Sequence, residues 1–157
     1  MTISILLSRH LFDGPDVAGH NNGSDKETPM RYTLLLHNDE PTPGEIPDED
    51  VQDMMRLFDE YAKALERAGV LVGADVLRFS DATTTVTRRT GATQIQDGPF
   101  AETKEALAGV FVIEVPDGDA AIAWAEKCPG ANYGSVEVRP VATSFVDGEW
   151  TASGPTN

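Results

Sequence analysis

The chain has 157 residues, 40% hydrophobic and 24% charged, with 26 acidic against 12 basic side chains and a formal net charge of -14. That length supports one domain with a real core rather than two. The acidity excludes a nucleic-acid partner and an anionic membrane surface, because both are held by clustered Lys and Arg.

The one cysteine, Cys128, forms no internal disulfide, which points to a reducing, cytoplasmic setting. It reads as a small apolar helix residue rather than a nucleophile, since no histidine adjoins it in sequence. No apolar run approaches the ~18 residues of a membrane span. The opening MTISILLSRHLF lacks a basic n-region and a small-residue cleavage site, so it reads as neither signal peptide nor anchor.

Phe12 to Pro29 is rich in Gly, Asn, Asp and Pro and has little to bury, so residues 1–29 are expected to be a disordered extension. Tyr32 to His37 (YTLLLH) has the length of a buried strand. A Pro- and Asp-rich loop follows, and Pro47 and Asp48 open a helix with Asp48 or a neighbour as cap. Val51, Met54, Met55, Phe58, Ala62 and Leu65 form its apolar stripe, and Gly69 ends it. Val70 to Leu77 is a second strand. Thr83 to Arg88 and Thr93 to Asp97 flank Arg89-Thr90-Gly91-Ala92 as a hairpin, with Gly91 able to take positive φ. Gly109 to Val115 is apolar enough for a central strand. Asp117 caps a second helix with Ala121, Trp124, Ala125 and Cys128 on one face, and Pro129-Gly130 stops it. Ser135 to Val141 is the last strand, leaving residues 146–157 as a flexible tail behind a domain at 30–145.

The order β-α-β, hairpin, β-α-β predicts an α+β protomer of the ferredoxin-like, split βαβ plan with an inserted hairpin. Two helices cover one face of such a sheet. The other face calls for a second subunit, packed sheet to sheet as a homodimer.

YTLLLHNDE, AGVLVGADVL, DGPFAETKEALAGVFVIEV and AWAEKCPGANYGSVEVRPV closely resemble the YCII-related proteins, and more narrowly the branch named for its DGPF signature, over about Met30 to Val141. The resemblance implies a dimeric α+β barrel. It implies a small enzyme, such as a lyase, isomerase or hydrolase, that binds or converts an anionic organic molecule in a dimer cleft without a cofactor. The alternative it carries is a non-catalytic ligand-binding or accessory protein acting beside an extracytoplasmic-function sigma factor. Enzymatic members resemble one another in a histidine midway along the first helix, paired with an acid. Here Phe58 or Asp59 stands there, and the helix has no histidine.

The chemistry concentrates in DGPFAETKE, residues 97–105. Asp97 is a turn residue, with a side chain suited to an Asx-turn, or a general base at a cleft rim. Gly98 allows close approach of a ligand, Pro99 stiffens the turn, and Phe100 completes the ligand-facing set. Glu102 and Lys104 fall on one side of an extended segment, as a rim ion pair or as a clamp in which Lys104 holds a carboxylate while Glu102 or Glu105 moves a proton. His37, at the end of the first strand, is the first candidate for a base near neutral pH. Glu137 and Arg139 share one side of the last strand, either pairing with each other across the dimer or leaving Arg139 to recognise a carboxylate. Trp124 and Phe111 read as core rather than as cofactor stackers. One cysteine and one histidine beyond residue 29 cannot build a soft metal site, and no phosphate-binding glycine loop occurs, so no metal or cofactor is expected.

Overall fold

The computed structural model describes residues 28–42 and 44–154. All but the last two residues of the expected N-terminal extension lie outside the described residues. Within them, β1 (Met30–Asn38), α1 (Asp48–Arg67) and β2 (Leu71–Val76) form one βαβ unit. A hairpin of β3 (Thr84–Thr87) and β4 (Gln94–Asp97) follows, then a second unit of β5 (Ala106–Val115), α2 (Gly118–Glu126) and β6 (Ser135–Pro140). The four long strands form one sheet in the order β2-β5-β1-β6, and each neighbouring pair is antiparallel. This is the split βαβ order, and the fold is α+β.

Alternation along β1 and β5 decides which face is core. Tyr32, Leu34 and Leu36 on β1, with Phe111, Ile113 and Val115 on β5, are buried beneath the helices. α1 contributes Tyr61 and Leu65, and α2 contributes Ala121 and Ala125. The α1 stripe departs from the expected one: Met55 is 68% exposed, and Tyr61 takes the buried place. Met54, Phe58, Tyr61 and Leu65 follow the i, i+4, i+7 row, whereas Met55 is turned about 100° off Met54. Pro47, not Asp48, occupies the N-cap position of α1, without a side-chain cap bond, and acidic residues fill the first turn. Asp117 caps α2 as expected, its carboxylate accepting a bond of 2.8 Å from the Ala120 N–H. Cys128 lies just past α2, buried at the start of a 3-10 turn.

The expected tail contains structure. Thr143–Val146 and Glu149–Ala152 form a second hairpin, β7–β8. Asp147 and Gly148 make its turn with φ of 52° and 90°, the positive values that a two-residue hairpin turn needs. Phe145 and Trp150 meet edge to face across it, and the Arg31 N–H donates to Ser153 Oγ at 2.7 Å, fastening the end of the chain to β1. β5 also begins three residues earlier than Gly109, at Ala106.

Candidate functional site

β1 and β2 both run antiparallel to β5, so they point the same way. The end of β1, the end of β2 and the start of β5 therefore meet at one end of the sheet. Three connections emerge there: residues 39–47 after β1, 77–83 after β2 and 98–105 before β5. Between them opens a cleft of about 930 Å³.

His37 lines the cleft from the end of β1, where regular alternation with Thr33 and Leu35 sets it on the outer face of the sheet. The β1–β5 register shifts between Leu36 and His37, so Leu36 pairs with Gly109 and His37 with Leu107. The extra residue, Ala108, lies on β5, and the β1–β6 ladder stays in register through His37. β6 approaches His37 closely at Gly134, where a Cβ would collide with the His37 carbonyl oxygen.

The DGPFAETKE segment forms a wall. Pro99, Phe100, Glu102, Lys104 and Glu105 all line the cleft. Glu105 is anchored, since Ser135 Oγ donates to its carboxylate at 3.1 Å. Phe100 is 72% exposed, with the Arg89 guanidinium 5.1 Å over its ring. Asp97 and Gly98 stand behind this wall rather than in it. Asp97 is the exposed last residue of β4, paired with Thr84, and among the described residues its carboxylate accepts no hydrogen bond. The turn is instead held through Gly98, whose N–H donates to the Thr83 carbonyl and whose carbonyl accepts from Thr85 Oγ1, each at 2.7 Å. Gly98 has φ of 94°, which explains why glycine is needed there.

Arg139 is turned away from the cleft wall, on the outer sheet face, where its guanidinium is bonded to Glu137. The second carboxylate oxygen of Glu137 lies 3.6 Å from His37 Nε2.

The opposite wall was not foreseen. Leu77, Arg78, Phe79 and Ser80 line it, with Glu40 beside them. Glu40 receives the Ser80 N–H at 2.6 Å and the Ser80 hydroxyl, tying the β1–α1 loop to the segment after β2. Arg78 and Lys104 line the cleft and make no ion pair among the described residues. The signal for this wall was topological: strands 1 and 2 of a split βαβ unit end at the same edge, so the residues just past each of them become neighbours.

The first helix supplies none of this chemistry. Phe58 stacks on Phe111 with ring centroids 6.4 Å apart, and Asp59 faces solvent, paired with Lys63 at 2.7 Å. Among the described residues no group of three or more His, Cys, Asp or Glu is placed to hold a metal ion, and no helix is long and apolar enough to cross a membrane.

The family model described as the YCII-related domain matches residues 30–151. An uncharacterised protein of Rhizobium meliloti (strain 1021) is 36% identical over 115 residues, which cover 72% of this chain and 93% of the relative. The family match takes in both βαβ units, the β3–β4 hairpin, all but the last residue of the β7–β8 hairpin and every wall of the cleft. The chain belongs to the YCII-related family.

Proposed function

We propose that this protein binds a small anionic organic molecule in the cleft at the end of β1 and that His37 exchanges a proton with it. One observation carries the reading. In a chain with 26 acidic and 12 basic residues, the two cations that line the cleft, Arg78 and Lys104, are left without a carboxylate partner among the described residues. Of the three carboxylates that line the cleft, Glu40 and Glu105 are engaged by serines, and Glu102 forms no ion pair with either cation among the described residues. A ligand carboxylate gives the cations the partner they lack. The cleft volume of about 930 Å³ falls within the ~300–1,000 Å³ usual for small-molecule sites. Phe79 and Phe100 supply apolar surface for the body of the ligand. No cofactor enters this reading, because the acid–base groups are the chain's own.

A thermal-shift screen of small mono- and dicarboxylates tests it. A ligand at 100 times its dissociation constant stabilises the parent by ~2.7 kcal/mol. Arg78→Ala and Lys104→Ala melt like the parent without ligand, because both residues are exposed and unpaired, and both lose most of the ligand-dependent shift. If both variants respond to every hit as the parent does, the reading fails.

A further inference from the structure

We infer that Glu137 is the positioning residue of His37: its carboxylate accepts a hydrogen bond from the imidazole Nε2–H and is itself held by Arg139, leaving Nδ1 as the nitrogen that exchanges a proton in the cleft. The inference rests on the cleft reading for its purpose, but its structural content stands on separate observations. His37 Nε2 is buried and has no hydrogen-bond partner among the described residues. Buried polar nitrogens are seldom left in that state, because nothing replaces the lost water. Glu137 Oε2 lies 3.6 Å away, just beyond hydrogen-bond length. A small rotation of the Glu137 side chain, which is 44% exposed, closes that gap.

The register explains why the two groups meet. His37 pairs with Ser135 and Leu35 with Glu137 on the antiparallel β1–β6 ladder. Glu137 is thus the diagonal neighbour of His37 on the same sheet face, within reach of a long side chain. Arg139, two residues on, projects to that face too and bonds the other Glu137 oxygen. The charged groups that line the cleft together with His37 are Glu40 after β1, Arg78 after β2, and Glu102, Lys104 and Glu105 before β5. Of these, Glu40 and Glu105 are already taken by Ser80 and Ser135. Glu137 is the one carboxylate within 4 Å of the imidazole nitrogens among the described residues, so it is the acid placed to orient the ring.

The chemistry is the usual division of an imidazole. A carboxylate on one nitrogen fixes the tautomer and the ring plane, and the other nitrogen keeps its lone pair for the reacting group. When Nδ1 accepts a proton from a bound acid, the proton leaves its bond to the ligand, and the imidazolium charge is met by Glu137 across Nε2–H. Arg139 holds Glu137 in place through its own bond to the other carboxylate oxygen. This assigns Arg139 to the support of His37 rather than to direct ligand recognition.

The test is the imidazole ¹⁵N–¹H spectrum of the full chain, with His37→Gln used to separate His37 from His10 and His20. In the parent, one Nε2–H signal persists near neutral pH and is missing in His37→Gln. Glu137→Ala makes that proton exchange with water at least about tenfold faster, Glu137→Gln restores part of the protection by keeping an acceptor, and Arg139→Ala gives an intermediate rate. Backbone amide spectra of the variants, matching the parent outside β6, certify the fold. A parent His37 Nε2–H that exchanges too fast to detect near neutral pH, or a rate unmoved by Glu137→Ala, overturns the pairing. The spectra need no ligand, so surviving ligand binding with no pairing overturns this inference alone, whereas no binding with the pairing intact overturns the cleft reading.

Discussion

Tyr61 joins the two helices. Its ring stands edge-on to Phe111 at 5.1 Å and near Trp124 at 6.4 Å, and its hydroxyl donates to the Trp124 carbonyl at 3.0 Å. Burial, with a smaller contribution from Cys128, pushes its ionisation well above the ordinary tyrosine value. Burial likewise raises the Cys128 thiol above 9.0 and the Tyr133 hydroxyl above 10.0. Below those ordinary values the folded and unfolded chains hold the same protons. Above them the unfolded chain ionises while the folded one does not, so stability falls as pH rises. Urea midpoints are therefore expected to be flat up to about pH 8–9 and to drop through the ordinary thiol and phenol range. Tyr61→Phe is expected to lose about 1 kcal/mol at pH 7, from the missing hydrogen bond, and to show a shallower alkaline decline. An equally steep decline in the variant would place the alkaline sensitivity elsewhere.

The elements show how much of the fold could be read in advance. β1, α1, β2, the hairpin, β5, α2 and β6 were legible because each apolar run carries its own length and period, and because Gly69, Gly91 and Asp117 mark the boundaries. The β7–β8 hairpin was readable in principle from Asp147-Gly148 between TSFV and EWTA. It escaped because four-residue arms bury too little to show an apolar pattern, and Phe145 and Trp150 remain largely exposed. In the cleft, His37, Glu102, Lys104 and Glu105 were visible as dense polar chemistry at strand ends. Arg78 and Glu40 were not, because nothing local distinguishes them; only the shared direction of β1 and β2 brings them to the same place. The bulge at His37 was equally silent, since it depends on pairing across β5. Asp117 gives a direct check on boundary logic. Asp117→Ala removes the bond to the Ala120 N–H and is expected to cost ~1 kcal/mol, or about 2–4 °C in melting temperature. Asp117→Asn is expected to keep most of that, and an unchanged melting temperature in the alanine variant would mean that the cap bond adds nothing.

At the scale of the molecule, both helices pack on one side of the sheet. The other side presents Thr33 and Leu35 from β1 with Val110 and Val112 from β5, all half-buried, inside a rim of charges that includes the Arg31–Glu114 pair. No helix of the described residues covers it. We propose that a second copy does, sheet against sheet, as aligned sheets pack elsewhere. Light scattering at micromolar concentration is expected to give the mass of two chains, and Val112→Glu, which puts a charge at the centre of the face, the mass of one. A parent that stays monomeric would rule out the pairing. The cleft has a further property that follows from its walls. The segments 77–83 and 98–105 that enclose it are also the two tethers by which the β3–β4 hairpin hangs from the sheet. Val86 and Ile95 on that hairpin are largely exposed, so little else restrains it. Because the walls and the tethers are the same two segments, any molecule that bridges the cleft contacts both stems of the hairpin at once.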